Sequence, residues 1–79
     1  MTTPKLEKTE RGFQILRFPD HNDNACSLQQ SSLAEFEPPG TSAIWLGIDG
    51  QTRMHLDMER VVWLIDHLQT WVHTGEFAS

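Results

Sequence analysis

A chain of 79 residues and 9.1 kDa has room for one small domain and excludes a second. Six Lys and Arg against eleven Asp and Glu leave a net charge of −5, the wrong sign for a protein that grips nucleic acid by neutralising phosphates, so no direct nucleic-acid binding is expected. Hydrophobic residues at 38% and charged residues at 22% suit a folded domain, and the longest apolar run, Val61 to Ile65, is far below the roughly 20 residues of a membrane span.

Residues 1–11 show no periodicity and read as a flexible N-terminal tail, with a single α+β domain over 12–77. The polar start carries no secretory signal, and a lone cysteine, Cys26, forms no internal disulfide, so a reducing cytoplasm is the expected location. Phe13 to Phe18 mixes aromatic and branched residues and stops at Pro19, which lacks the amide a continuing strand needs. Asp20, His21, Asn22, Asp23 and Asn24 are turn formers, because their side chains bond nearby backbone and tolerate left-handed conformations. Ala25 to Leu33 alternates, with Cys26 and Leu28 on one face and Ser27, Gln29 and Ser31 on the other.

Pro38, Pro39 and Gly40 mark a loop over 35–42. A third strand follows at Ala43 to Asp49, with Ile44, Leu46 and Ile48 opposite Trp45 and Gly47. Asp49-Gly50 is a tight-turn signal, so Thr52 to Leu56 should return antiparallel, Met54 and Leu56 inward and Arg53 and His55 outward. Asp57 then caps a helix from Met58 to about Thr74 that ends at Gly75. Val61, Leu64, Ile65, Leu68 and Val72 form one stripe of that helix, with Trp71 on its edge. The expected fold is a small antiparallel sheet of four strands packed on one C-terminal helix, β-β-β-β-α, with the stripe covering the sheet.

One helix covers one sheet face. The other face then displays Ser27, Gln29, Ser31, Trp45, Arg53 and His55, which is either an ordinary solvated surface or a ligand-binding one, with a Trp for stacking and an Arg and a His for an anion. Trp63 lies about 200° round the helix from Val61, in line with His67 and Thr70, so these three mark either a homo-oligomer interface or a Trp folded along its own helix.

Chemistry-bearing constellations fail on spacing. Asp20 to Asn24 opens like a calcium loop but has Ala25 where Gly is needed and Ser31 where a bidentate Glu is needed. His67 and His73 are six apart on the helix and do not converge with His21 or His55 on a zinc ion. Cys26 points inward beside Leu28, and the serines lack the flanking glycines of a nucleophile elbow. Neither an enzyme, a metal site nor a cofactor is expected.

Cys26-Ser27-Leu28-Gln29-Gln30-Ser31-Ser32, Ile44-Trp45-Leu46-Gly47, Arg53-Met54-His55-Leu56 and the Thr74-Gly75-Glu76 ending resemble a family of short bacteriophage and prophage proteins, over about 12–77. Members of that family carry a longer insertion between the Trp strand and the Met-His-Leu strand, where this chain has only Asp49-Gly50-Gln51. The resemblance implies a phage-encoded accessory protein acting in the host cytoplasm, and small soluble proteins of this kind often antagonise host defence. Two mechanisms fit the residues. An oligomer would sequester a nucleotide immune signal, with Trp45 stacking the base and Arg53 and His55 meeting phosphate or ribose. Alternatively, the acidic protein would dock on a host defence protein, as anti-CRISPR inhibitors do. A phage structural or assembly protein is a third class.

Overall fold

The computed structural model describes residues 4–32 and 40–77. Five strands precede one helix: β1 (Lys5–Lys8), β2 (Gln14–Pro19), β3 (Ala25–Gln30), β4 (Ala43–Ile48), β5 (Arg53–Asp57) and α1 (Met58–Thr74). The strands form one antiparallel sheet in chain order, β1-β2-β3-β4-β5. The α+β arrangement of hairpin-linked strands followed by a C-terminal helix is as the sequence predicts, with one strand more. Lys5–Lys8, read from sequence as tail, pairs with β2 from Lys5↔Arg17 to Lys8↔Gln14. The end of the predicted second strand at Leu33, and most of the predicted loop over 35–42, lie outside the described residues.

Local chemistry explains three of the four strand reversals, the β3–β4 connection lying mostly outside the described residues. Between β1 and β2, the Thr9 and Phe13 backbones bond, Phe13 N donates to Thr9 Oγ1 at 3.2 Å, and Gly12 supplies the left-handed residue with φ 86°. Between β2 and β3, Asp20 Oδ1 accepts from the amides of Asn22 and Asn24 at 2.8 and 2.9 Å, and Asp23 takes the left-handed conformation. The Asn24 side-chain amide, which donates to Asp20 Oδ2 at 3.0 Å, and then the backbone amides of Asn24 and Asn22 hold the Asp20 carboxyl below its ordinary pKa. Between β4 and β5 the Asp49-Gly50 turn closes with Gln51 N donating to Ile48 O.

The register sorts the side chains as the alternation predicts. Leu6, Leu16, Leu28, Leu46 and Met54 fall in one cross-strand row, on the same face as Cys26, Ile44 and Leu56. Ile15, Ser27, Gln29, Trp45, Gly47, Arg53 and His55 share the other. Cys26 is buried, and burial first, then the negative charge of Asp20 and Asp49, push its thiol pKa up, which disfavours the reactive thiolate.

The helix corrects the sequence reading. The stripe of Val61, Leu64, Ile65, Leu68 and Val72 does not cover the sheet: no residue of α1 is buried, its packing is chiefly against β5, and Met58 and Val61 at its root share a groove with Ala43 and Ile44 of β4. The reason is the connection. β5 ends at Asp57 and α1 begins at Met58, with no loop residue between them, whereas strand-to-helix reversals take about 2–6 residues. The helix therefore leaves the sheet edge instead of folding back, and the radius of gyration is 13.8 Å against about 11.6 Å for a compact chain of this length.

Its ends are capped as predicted. Asp57 accepts from Arg60 N at 3.0 Å, Arg60 Nη1 reaches the same carboxylate at 2.9 Å, and Gly75 at φ 76° donates its amide to Trp71 O. The Arg60 amide, and then its guanidinium, hold the Asp57 carboxyl below the usual carboxylate range. A depressed folded-state pKa stabilises above the unfolded value and is lost as pH falls through the folded one. Helicity measured by circular dichroism at 222 nm should thus be level at neutral pH and fall on acidification below the ordinary Asp range, and Asp57→Asn should flatten that fall.

Candidate functional site

The polar sheet face is built in rows that run across the strands. One row reads Arg53, Gly47, Ser27, Arg17 and Lys5 from β5 to β1. The absence of a side chain at Gly47 lets Arg53 lie across β4, where its Nη1 donates to Gln29 Oε1 on β3 at 2.8 Å and approaches Ser27 Oγ at 3.5 Å. Ser27 donates in turn to Asp49 Oδ1 at 2.6 Å, and the other oxygen of Asp49 takes Arg17 Nη1 at 3.0 Å. Arg17 Nε meets Glu7 Oε2 at 2.9 Å, with Lys5 at 3.4 Å from the same carboxylate's second oxygen. Arg17 first, then Lys5, keep the Glu7 carboxyl below its ordinary pKa. Acidic and basic groups alternate along this network, so the face is close to neutral in charge although the chain is acidic.

The neighbouring row reads His55, Trp45, Gln29, Ile15 and Glu7. The His55 ring stacks on the indole with centroids 4.0 Å apart and an interplanar angle of 11°, and the Arg53 guanidinium lies 5.6 Å from the indole centroid. Ser31 Oγ and His55 Nε2 are 2.8 Å apart, which fixes the imidazole in the stack. Next to Trp45 opens a cleft of about 330 Å³, lined by Thr9, Glu10, Arg11, Phe13, Gln29, Ser32 and Trp45. The Arg11 guanidinium sits 5.6 Å from the centroid of the Phe13 ring. Trp45 and Phe13 thus flank one concavity that Arg11 and Glu10 also line, while Arg53 lies beside the indole outside that lining, a composition that offers ring faces for stacking and charged groups for orientation.

All six residues expected from sequence to bind a ligand, Trp45, Arg53, His55, Ser27, Gln29 and Ser31, lie on this face, but they divide into two kinds. Trp45, Gln29, Arg53 and His55 are partly or well exposed. Ser27 and Ser31 are 0% and 2% exposed and bonded within the protein, so they position Asp49, Arg53 and His55 and do not face solvent. Thr9 and Arg11 were missed because they belong to the segment that reads as tail, and Phe13, read as the start of the first strand, was given no place on the ligand face. The Glu10-Arg11-Gly12 turn signal beside an aromatic residue was the clue.

Trp63, His67 and Thr70 occur together on the helix. The Trp63 ring leans on His67 at 4.4 Å between centroids yet stays 59% exposed. No group of three or more His, Cys, Asp or Glu with metal-binding placement occurs among the described residues, nor is any described helix long and apolar enough to cross a membrane. No protein-family model, no curated protein and no solved structure matches this chain.

Proposed function

We propose that this chain is a small non-enzymatic binding protein, encoded by a phage, that antagonises bacterial defence by sequestering a nucleotide immune signal. The observation that carries this reading is the Trp45 cleft: an indole and a phenyl ring flanking about 330 Å³, with Arg53 and Arg11 at 5.6 Å from the two rings. That volume falls at the small end of ligand sites and suits one nucleotide unit. In this reading the base stacks against Trp45 or Phe13, while the phosphate meets the guanidinium groups and Gln29 hydrogen-bonds the base or ribose. The Trp45–His55 stack and the Ser31–His55 bond hold the indole in one orientation before the ligand arrives, which lowers the entropic cost of binding.

Titrating the full chain with a panel of cyclic and linear signalling nucleotides, and following thermal unfolding, tests it. A ligand present at 100 times its Kd adds about 2.7 kcal/mol, which raises Tm by roughly 10–20 °C in a domain of this size. Arg53→Ala and Phe13→Ala should each abolish the rise. No rise with any nucleotide, together with recovery of a host defence protein on a tagged chain, supports docking instead. Presence of the chain in purified virions supports a structural or assembly role.

A further inference from the structure

Two apolar surfaces lie uncovered among the described residues, and they match. On the sheet, Leu6, Leu16, Leu28 and Ile44 line a groove of about 180 Å³, and a second groove of about 240 Å³ continues from Ile44 to Met58 and Val61 at the root of the helix. On α1, Ile65, Leu68, Trp71 and Val72 share the stripe and are 50%, 53%, 49% and 70% exposed. The zero-length junction between Asp57 and Met58, locked by the Asp57 cap, prevents the stripe from reaching the sheet of its own chain.

We infer that a second copy of this chain is the occupant: two copies related by a twofold axis, each laying its α1 stripe across the apolar sheet face of the other. Three quantities favour a second copy. The 17 residues of α1 span about 26 Å, enough to cross five strands whose outer members are about 19 Å apart. A standard interface takes about 800 Å² from each partner, and Leu6 and Met54 on the sheet face, like Ile65, Leu68, Trp71 and Val72 on the stripe, have about half or more of their surface available to supply it. Reciprocal exchange covers both surfaces on both copies and closes the assembly, which a one-way contact does not. A lone helix of this length is also marginal in water, so the partner's sheet supplies the packing that its own chain withholds. This interface lies on the side of α1 opposite Trp63 and is independent of the Trp45 cleft.

Light scattering of the full chain at tens of micromolar should give about 18 kDa, twice the 9.1 kDa chain. Leu68→Asp should halve that mass, and Trp63→Gln should leave it unchanged. Because Leu68→Asp also risks misfolding, a photo-crosslinking amino acid placed at Leu68 gives a second readout, with covalent dimers joined to partner peptides that contain Leu6, Leu16 or Leu28. A 9 kDa species, cross-links confined to the partner's α1, loss of the dimer in Trp63→Gln, or partition of the chain onto lipid vesicles in place of self-association would each overturn the inference.

Discussion

Gly47→Ala lowers Tm by roughly 10–20 °C and removes ligand binding at the Trp45 cleft together. A Cβ at position 47 would lie 2.9 Å from Arg53 Cα and 3.1 Å from Thr52 O. Both are backbone atoms of the adjoining strand and its turn, so no side-chain rotation relieves the contact, and β4 and β5 must move apart. Overpacking of this kind costs about 2–3 kcal/mol, and in a domain of this size each kcal/mol is worth about 4–8 °C. The same methyl group obstructs the path by which Arg53 crosses β4 to Gln29. Thermal unfolding at fixed protein concentration checks the first effect, and the nucleotide titration checks the second. An unchanged Tm with an intact Arg53–Gln29 bond would show that the β4–β5 pair is looser than its register implies.

Ile15→Ala costs about 2–4 kcal/mol. Ile15 is a buried aliphatic residue on the polar face, 4% exposed, in the row between Glu7 and Gln29. Truncation removes buried methyl groups from between β1 and β3 and leaves a void where they packed. Urea unfolding should show a lower midpoint at unchanged slope. Leu6→Ala, by contrast, starts from a side chain 59% exposed and should shift the midpoint little in the monomeric state.

The strands from β2 onward were legible because turn chemistry and alternation agree. Asp20 and Asn24 announce a hairpin through bonds the structure contains, and Asp49-Gly50 announces the next. The two faces followed from the pleat alone, which is why Trp45, Arg53 and His55 could be grouped before any coordinates. β1 was hidden because an edge strand with one apolar residue, Leu6, between Lys5 and Glu7 has no period to detect, and charges on an edge protect it from unwanted pairing. Thr9 and Arg11 were lost from the site with it. The position of α1 was hidden for another reason. A stripe reveals that a helix face wants cover, and says nothing of which chain provides it. The telling residue was Asp57, which is both the last residue of β5 and the helix cap, a dual role that leaves no room for a reversal.

The central claim is that α1 finds no cover on its own sheet and finds it on the sheet of another copy. Isotope-filtered nuclear Overhauser spectroscopy on a sample mixed from labelled and unlabelled chains tests this most directly, since it separates contacts between copies from contacts within one. Methyl groups of Ile65, Leu68 and Val72 should show cross-peaks to Leu6, Leu16 and Leu28 in the intermolecular spectrum. The same cross-peaks appearing only within a single chain would contradict it.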